Sequence, residues 1–195
     1  MIVGRRLDEY VYTGSEVEKT CVRFAKKSID TNKVWWEKRG QSKTERMFNQ
    51  IIRGKRSEFA VYLYLAGRGI PCSVPDVAVY TKAGKGYDAD LITAQHELHV
   101  KSQRKKIHVK SQTQKMASKY GASWIFQNTD RLVAEPKDND VIALTHTFLD
   151  DDYKVQIVGF VYATDVVKNY TLPDVYQLRH SKAVLRLEDI ELTEQ

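Results

Sequence analysis

The hydrophobic period of this chain changes near Pro71, and that change limits what it can fold into. Before Pro71 apolar residues recur at helical spacing; after it they alternate, as they do along strands. Ser15 and Glu18 have the spacing of a capping box, and Val17, Cys21, Phe24 and Ala25 follow at helical intervals, which predicts a helix over residues 15–28. A second helix is predicted over 44–66, with Met47, Phe48, Ile51, Ile52, Phe59 and Leu63 on its apolar stripe. Gly54 weakens its middle by about 1 kcal/mol relative to alanine, so a kink or break near Arg53 to Lys55 is expected, and Gly67 and Gly69 stop it. Residues 1–14 read as irregular. The Trp35 and Trp36 pair, beside Lys38 and Arg39, reads as packing near a helix end rather than as base stacking.

Downstream, strands are predicted over 74–80, 87–92, 97–102, 123–127, 141–149, 154–162 and 184–187. A short helix is predicted over 113–120, stopped by Gly121, and a helical turn over 164–169. Residues 130–139 read as a loop, and Asp150, Asp151 and Asp152 as a solvated turn. Helix, strands, helix, strand is the order of a single α/β domain around a mixed central sheet flanked by helices. With 195 residues the chain can bury one substantial core. Residues 1–43 are expected as a helical extension, 44–127 as the core carrying the chemistry, and 128–195 as strands completing the sheet.

The stretch GYDADLITAQHELHVKSQRKKIHVKSQ, residues 86–112, carries the chemistry-bearing residues. Asp88 and Asp90 share one face of a strand. The pentapeptide HVKSQ then occurs twice, at 99–103 and 108–112, so His99 and Lys101 point the same way, as do His108 and Lys110. Carboxylates can hold a divalent ion with open positions for water and phosphate, and a nearby lysine can orient the water or neutralise the phosphate. Glu58, partly inward on the second helix, is a further carboxylate in need of a partner. The chain has a net charge of +6, with basic residues clustered around the repeated motif, where a phosphate backbone needs them. Arg104, Lys105, Lys106 and Lys115, together with Gln103 and Gln112, are the expected nucleic-acid contacts.

A glutamate on a helix, an aspartate on a strand and x-x-K on an adjoining strand resemble the PD-(D/E)xK, or restriction-endonuclease-like, nuclease superfamily. The resemblance covers roughly residues 53–127 and implies an αβββαβ core. It also implies that Glu58 and Asp90 bind the metal, with Asp88, His99 and His108 as further candidate ligands, and that Lys101 or Lys110 is the catalytic lysine. The expected activity is divalent-metal-dependent endonuclease cleavage of DNA, of the restriction or phage and homing type, with magnesium or manganese. Cutting a symmetric site would call for a homodimer. One position departs from the family pattern: the acidic residue two before the lysine is histidine in both copies. Imidazole suits transition metals better than magnesium. The first copy lies a short hairpin from Asp90 and is slightly favoured as the working one. The second leads straight into a helix, which suits the end of the motif strand.

Two other functions compete. The missing acid favours a nuclease-like module that only grips nucleic acid. His99, His108 and Asp90 together suit a transition-metal enzyme acting on another substrate. No apolar run approaches the roughly 20 residues that span a bilayer, the first residues lack the apolar core of a secretory signal, and Cys21 and Cys72 make no disulfide framework. A cytoplasmic protein with no membrane partner is the expectation.

Overall fold

A central strand buried on both faces organises the chain. The computed structural model describes residues 5–38, 44–81, 89–93, 104–151, 153–169 and 181–189. All eight residues of β5 (Asp140–Thr147) are buried, and Val141 to Leu144 make a continuous apolar run rather than an alternating one. It pairs in parallel with β3 (Lys106–Thr113) and antiparallel with β6 (Lys154–Tyr162). β1 (Arg5–Tyr12) and the two-residue β2 (Leu91–Ile92) close the edges, giving the order β1-β6-β5-β3-β2. β4 (Ser123–Gln127) and β7 (Lys182–Arg186) form a separate antiparallel pair.

Helices α1 (Gly14–Lys38) and α2 (Thr44–Gly67) lie to one side. Val61 and Leu65 of α2 meet Leu91, Ile107, Val141, Ala143, Ile157 and Phe160 in one core layer. On the opposite face, Ile142, Leu144, Val158 and Val161 pack with Trp124 and Phe126 of β4, Ala183 and Leu185 of β7, and Leu132 and Val166. Leu132 belongs to the short helix α4 (Arg131–Ala134) and Val166 to α5 (Ala163–Asn169). Between β3 and β4 lies α3 (Gln114–Tyr120), whose first turn is capped by Thr113 and which ends at Gly121 with φ +81°. The result is a single α/β domain with a mixed, curled sheet.

Several elements differ from expectation. Residues 5–12 are a strand, because Leu7 and Val11 pack on the core. Its alternation is broken at Asp8, φ +50°, where the register with β6 shifts between Arg6 and Glu9. α1 runs on through Asn32, a non-helical step at φ −114°, where the Asn32 amide donates to the Ser28 carbonyl. α2 passes through Gly54 without the expected break, held by the burial of Ile52, Lys55, Arg56 and Ser57 on either side. Residues 74–80 form no strand. There the Asp76 carboxylate takes the Ala78 amide and the Tyr80 hydroxyl, so the side chain supplies the bonds a ladder needs. The loop expected at 130–139 contains α4, capped by Asp130. Of the strand expected at 87–92, residues 89–92 are described and only Leu91–Ile92 pair as a strand; the strand expected at 97–102 lies outside the described residues, as do the side chains of Trp35 and Trp36.

Candidate functional site

The second HVKSQ copy occupies β3, and its alternation sends its residues to two different layers. Val109 and Ser111 face α2, where Val109 packs on the core and the Ser57 hydroxyl donates to Ser111 Oγ at 3.1 Å. His108, Lys110 and Gln112 face the opposite way, toward the β4 side. Lys110 Nζ stands 4.9 Å from the Phe126 ring centre and 2.8 Å from Asp130 Oδ2.

Asp90 meets this strand at its exposed edge. β2 pairs with β3 over two residues only, Leu91 with Ile107 and Ile92 with Lys106. Just beyond that pairing, Asp90 turns its carboxylate onto the edge of β3 and accepts the Val109 amide proton at Oδ2, 2.8 Å. Among the described residues its other oxygen accepts no hydrogen bond. The aspartate and the H-x-K strand are thus brought together at the backbone of the valine between His108 and Lys110.

The imidazole at the unusual motif position is tied elsewhere. His108 Nε2 lies 3.2 Å from Asp140 Oδ1, and Arg131 clamps the same carboxylate with Nη1 at 2.6 Å and Nη2 at 3.0 Å. Asp140 is fully buried. Burial alone would push its carboxyl up, but Arg131, His108 and the Lys137 amide outweigh it and bring the pKa down to about 2. Burial likewise opposes ionisation of Asp130, and the Lys110 ammonium and Leu132 amide overcome it, lowering its pKa. Asp130, Arg131 and Asp140 escaped sequence reasoning. The one available signal was the D-R-L-V pattern of a helix start, with Asp130 as N-cap.

Glu58 does find a partner. Lys55 Nζ lies 2.5 Å from Glu58 Oε2, donates to the Asp76 carbonyl at 2.7 Å and sits over the Phe24 ring. This cluster belongs to the helical layer, so the sheet separates Glu58 from the side chain of Lys110. Of the basic residues, Arg104 and Lys115 are exposed, and Lys105 lies over the Tyr162 ring while Lys106 is half-buried at the start of β3. Gln112 braces the following turn: its Oε1 accepts from the Ser123 amide at 3.0 Å, and its Nε2 donates to the Gly121 carbonyl at 3.2 Å.

Asp88, His99, Lys101 and Gln103 lie outside the described residues. Among the described residues no three His, Cys, Asp or Glu side chains converge as a metal site. A magnesium or manganese ion needs several oxygen ligands; here Asp90 offers one open oxygen, while His108 is committed to Asp140 and Glu58 to Lys55. The described residues alone fall short of the expected ion site. No helix among them is long and apolar enough to cross a membrane. Comparison with protein-family models, curated proteins and solved structures returns no match.

Proposed function

We propose that this chain is a divalent-cation-dependent endonuclease that hydrolyses phosphodiester bonds of DNA, on a restriction-endonuclease-like core. What supports it is the meeting of Asp90 with the second HVKSQ copy at Val109. The carboxylate stands just before β2, beside a strand bearing His108 and Lys110, and the chain passes from that strand through α3, β4 and α4 to β5, which runs parallel to β3. In this reading Asp90 is the anchoring carboxylate and Lys110 the cation that neutralises the phosphate. Lys110 retains 27% side-chain exposure in its pair with Asp130, which leaves it within reach of a ligand. Asp140 and Arg131 position His108. Asp88 and His99, outside the described residues, are the further candidate ligands that the sequence offers.

A second reading, a binding module without catalysis, draws on the ion pairs that engage the motif's own side chains, Lys110 with Asp130 and His108 with Asp140. The two are separated by incubating supercoiled DNA with the protein in magnesium, in manganese and in chelator. Metal-dependent nicking or linearisation, lost in Asp90→Ala, supports the nuclease. Salt-sensitive binding with no cutting in either metal supports the binding module.

A further inference from the structure

β1 is an edge of the main sheet, and the backbone groups on its open side belong to two exposed tyrosines. Thr13 donates its amide to the Tyr153 carbonyl at 2.9 Å, which continues the register that sets Tyr12 against Lys154 and Val11 against Val155. In an antiparallel ladder, pairs that exchange hydrogen bonds alternate with pairs that do not. Glu9, Val11 and Thr13 therefore bond β6. The N–H and C=O of Tyr10 and Tyr12 point away from it, to the edge where no described strand pairs. Asp8, at φ +50°, breaks the ladder on one side of this window, and α1 begins at Gly14 on the other. Between them lies a regular stretch from Glu9 to Thr13, centred on Val11.

Val11 packs into the core layer beneath α2, so Tyr10 and Tyr12 stand on the opposite face, 52% and 64% exposed. Tyr10 is held in place: its ring centre is 6.0 Å from that of Phe148, and Lys154 Nζ lies 4.4 Å from the first and 4.7 Å from the second. Open backbone groups beside fixed, exposed tyrosines suit the docking of another strand. Arg6 and Arg68 are paired with Asp8 and Glu9, and the turn before β6 adds Asp150 and Asp151 beside Lys154. Among the described side chains this corner thus has no excess of positive charge with which to hold a polyanion.

We infer that the occupant is a second copy of this chain, its β1 antiparallel to this one about a two-fold axis at Val11. The window is self-complementary in that register. Tyr10 faces the partner's Tyr12, and the two exchange both backbone bonds. Val11 faces the partner's Val11 and Glu9 the partner's Thr13, so no like charges stand opposite one another. Moving the axis to Tyr10 or to Tyr12 would run the ladder into Asp8 or into the start of α1. The pairing is closed and symmetric, and it removes a sheet edge.

This inference stands apart from the nuclease reading, because self-association is measured without DNA. Sedimentation velocity over a concentration series compares wild type, Tyr10→Lys/Tyr12→Lys and Tyr10→Lys/Tyr12→Glu, with folding confirmed by circular dichroism. The first variant sets lysines against each other across the axis. The second sets each new lysine against a new glutamate of the other copy, in this register only. The interface predicts a concentration-dependent wild-type dimer that is roughly tenfold weaker or more in the first variant and largely recovered in the second. If either variant does not fold, Tyr12→Pro, which removes an outward N–H and no bond to β6, replaces it and should also weaken the dimer. Wild type that stays monomeric up to about 100 μM, equal dimerisation in the variants, or no recovery with the glutamate overturns the interface. A monomer that binds single-stranded DNA less tightly as Tyr10→Ala/Tyr12→Ala overturns it as well, and gives the tyrosines to nucleic acid.

Discussion

Lys110 reaches across from β3 to Asp130 at the cap of α4, Nζ to Oδ2 2.8 Å, and this pair balances part of the motif's positive charge. A lysine held by a carboxylate is partly neutralised. Asp130→Asn keeps the cap acceptor for the Leu132 amide while removing the charge. The expected outcome is tighter DNA binding in chelator, by roughly two- to fivefold, with a loss of stability near or below 1 kcal/mol, as befits a pair that is about a quarter exposed. Anisotropy and urea unfolding check the two halves.

Asp140 makes stability depend on acid. Its pKa of about 2 in the folded chain lies below the ordinary value near 3.9. A carboxyl depressed by folding stabilises the native state above its unfolded pKa, and that contribution fades as pH falls through the folded one. Wild type should therefore lose on the order of 2 kcal/mol between about pH 4 and pH 2 from this group. Asp140→Asn should be less stable at neutral pH, with its deficit shrinking across that window, read by thermal melts at each pH.

His146 adds an acid-side slope of its own. Its ring stacks on Trp124 at 5.5 Å between centres, its Nδ1 lies 3.3 Å from Gln156 Oε1, and its buried Nε2 has no partner among the described residues. Burial lowers its pKa, Gln156 and Asp8 opposing. The unfolded chain takes up a proton near pH 6.5 while the native ring resists it, so stability falls as pH drops below that value, by at most about 1.4 kcal/mol per unit. His146→Phe should flatten this slope, and urea unfolding between pH 7 and pH 5 measures it.

Arg56 ties the two long helices together. Its side chain is 2% exposed and gives Nε at 3.0 Å and Nη2 at 2.7 Å to Glu18 Oε2. Glu18→Gln replaces the carboxylate that takes these two bonds by a neutral amide, which should destabilise by roughly 1–3 kcal/mol. Glu18→Leu/Arg56→Leu should recover much of that loss, and chemical denaturation of the single and double variants reads the difference.

Periodicity revealed what packing imposes evenly along an element. The stripe begun at Met47 and Ile52 located α2, although Leu63, expected to continue it, is exposed and Ala60, Val61, Tyr64 and Leu65 are buried instead; Thr113 and Gly121 marked the ends of α3. It failed where one residue overrode its neighbours, as at Asp8, whose positive φ breaks the alternation of β1, or Asp76, whose carboxylate replaces a ladder. The strand SWIFQ was visible, but not the alternation that turns Trp124 and Phe126 inward and Ile125 outward, nor its pairing with β7, since no local pattern encodes a partner about sixty residues away. For the candidate site, Asp90 and the H-x-K spacing were visible as local patterns. The partners that tune them, Asp130, Arg131 and Asp140, come from other elements and take their meaning only from contact across the sheet.

The pairing of Asp90 with the second copy of HVKSQ rather than the first is the central claim, and one comparison addresses it. Cleavage of supercoiled DNA in magnesium and in manganese is measured for wild type, Asp90→Ala, Lys110→Met and Lys101→Met, with folding confirmed by circular dichroism. The account predicts that Asp90→Ala and Lys110→Met each abolish metal-dependent cutting, while Lys101→Met retains it. Cutting that survives Lys110→Met and disappears in Lys101→Met would contradict the assignment and move the site to the first copy.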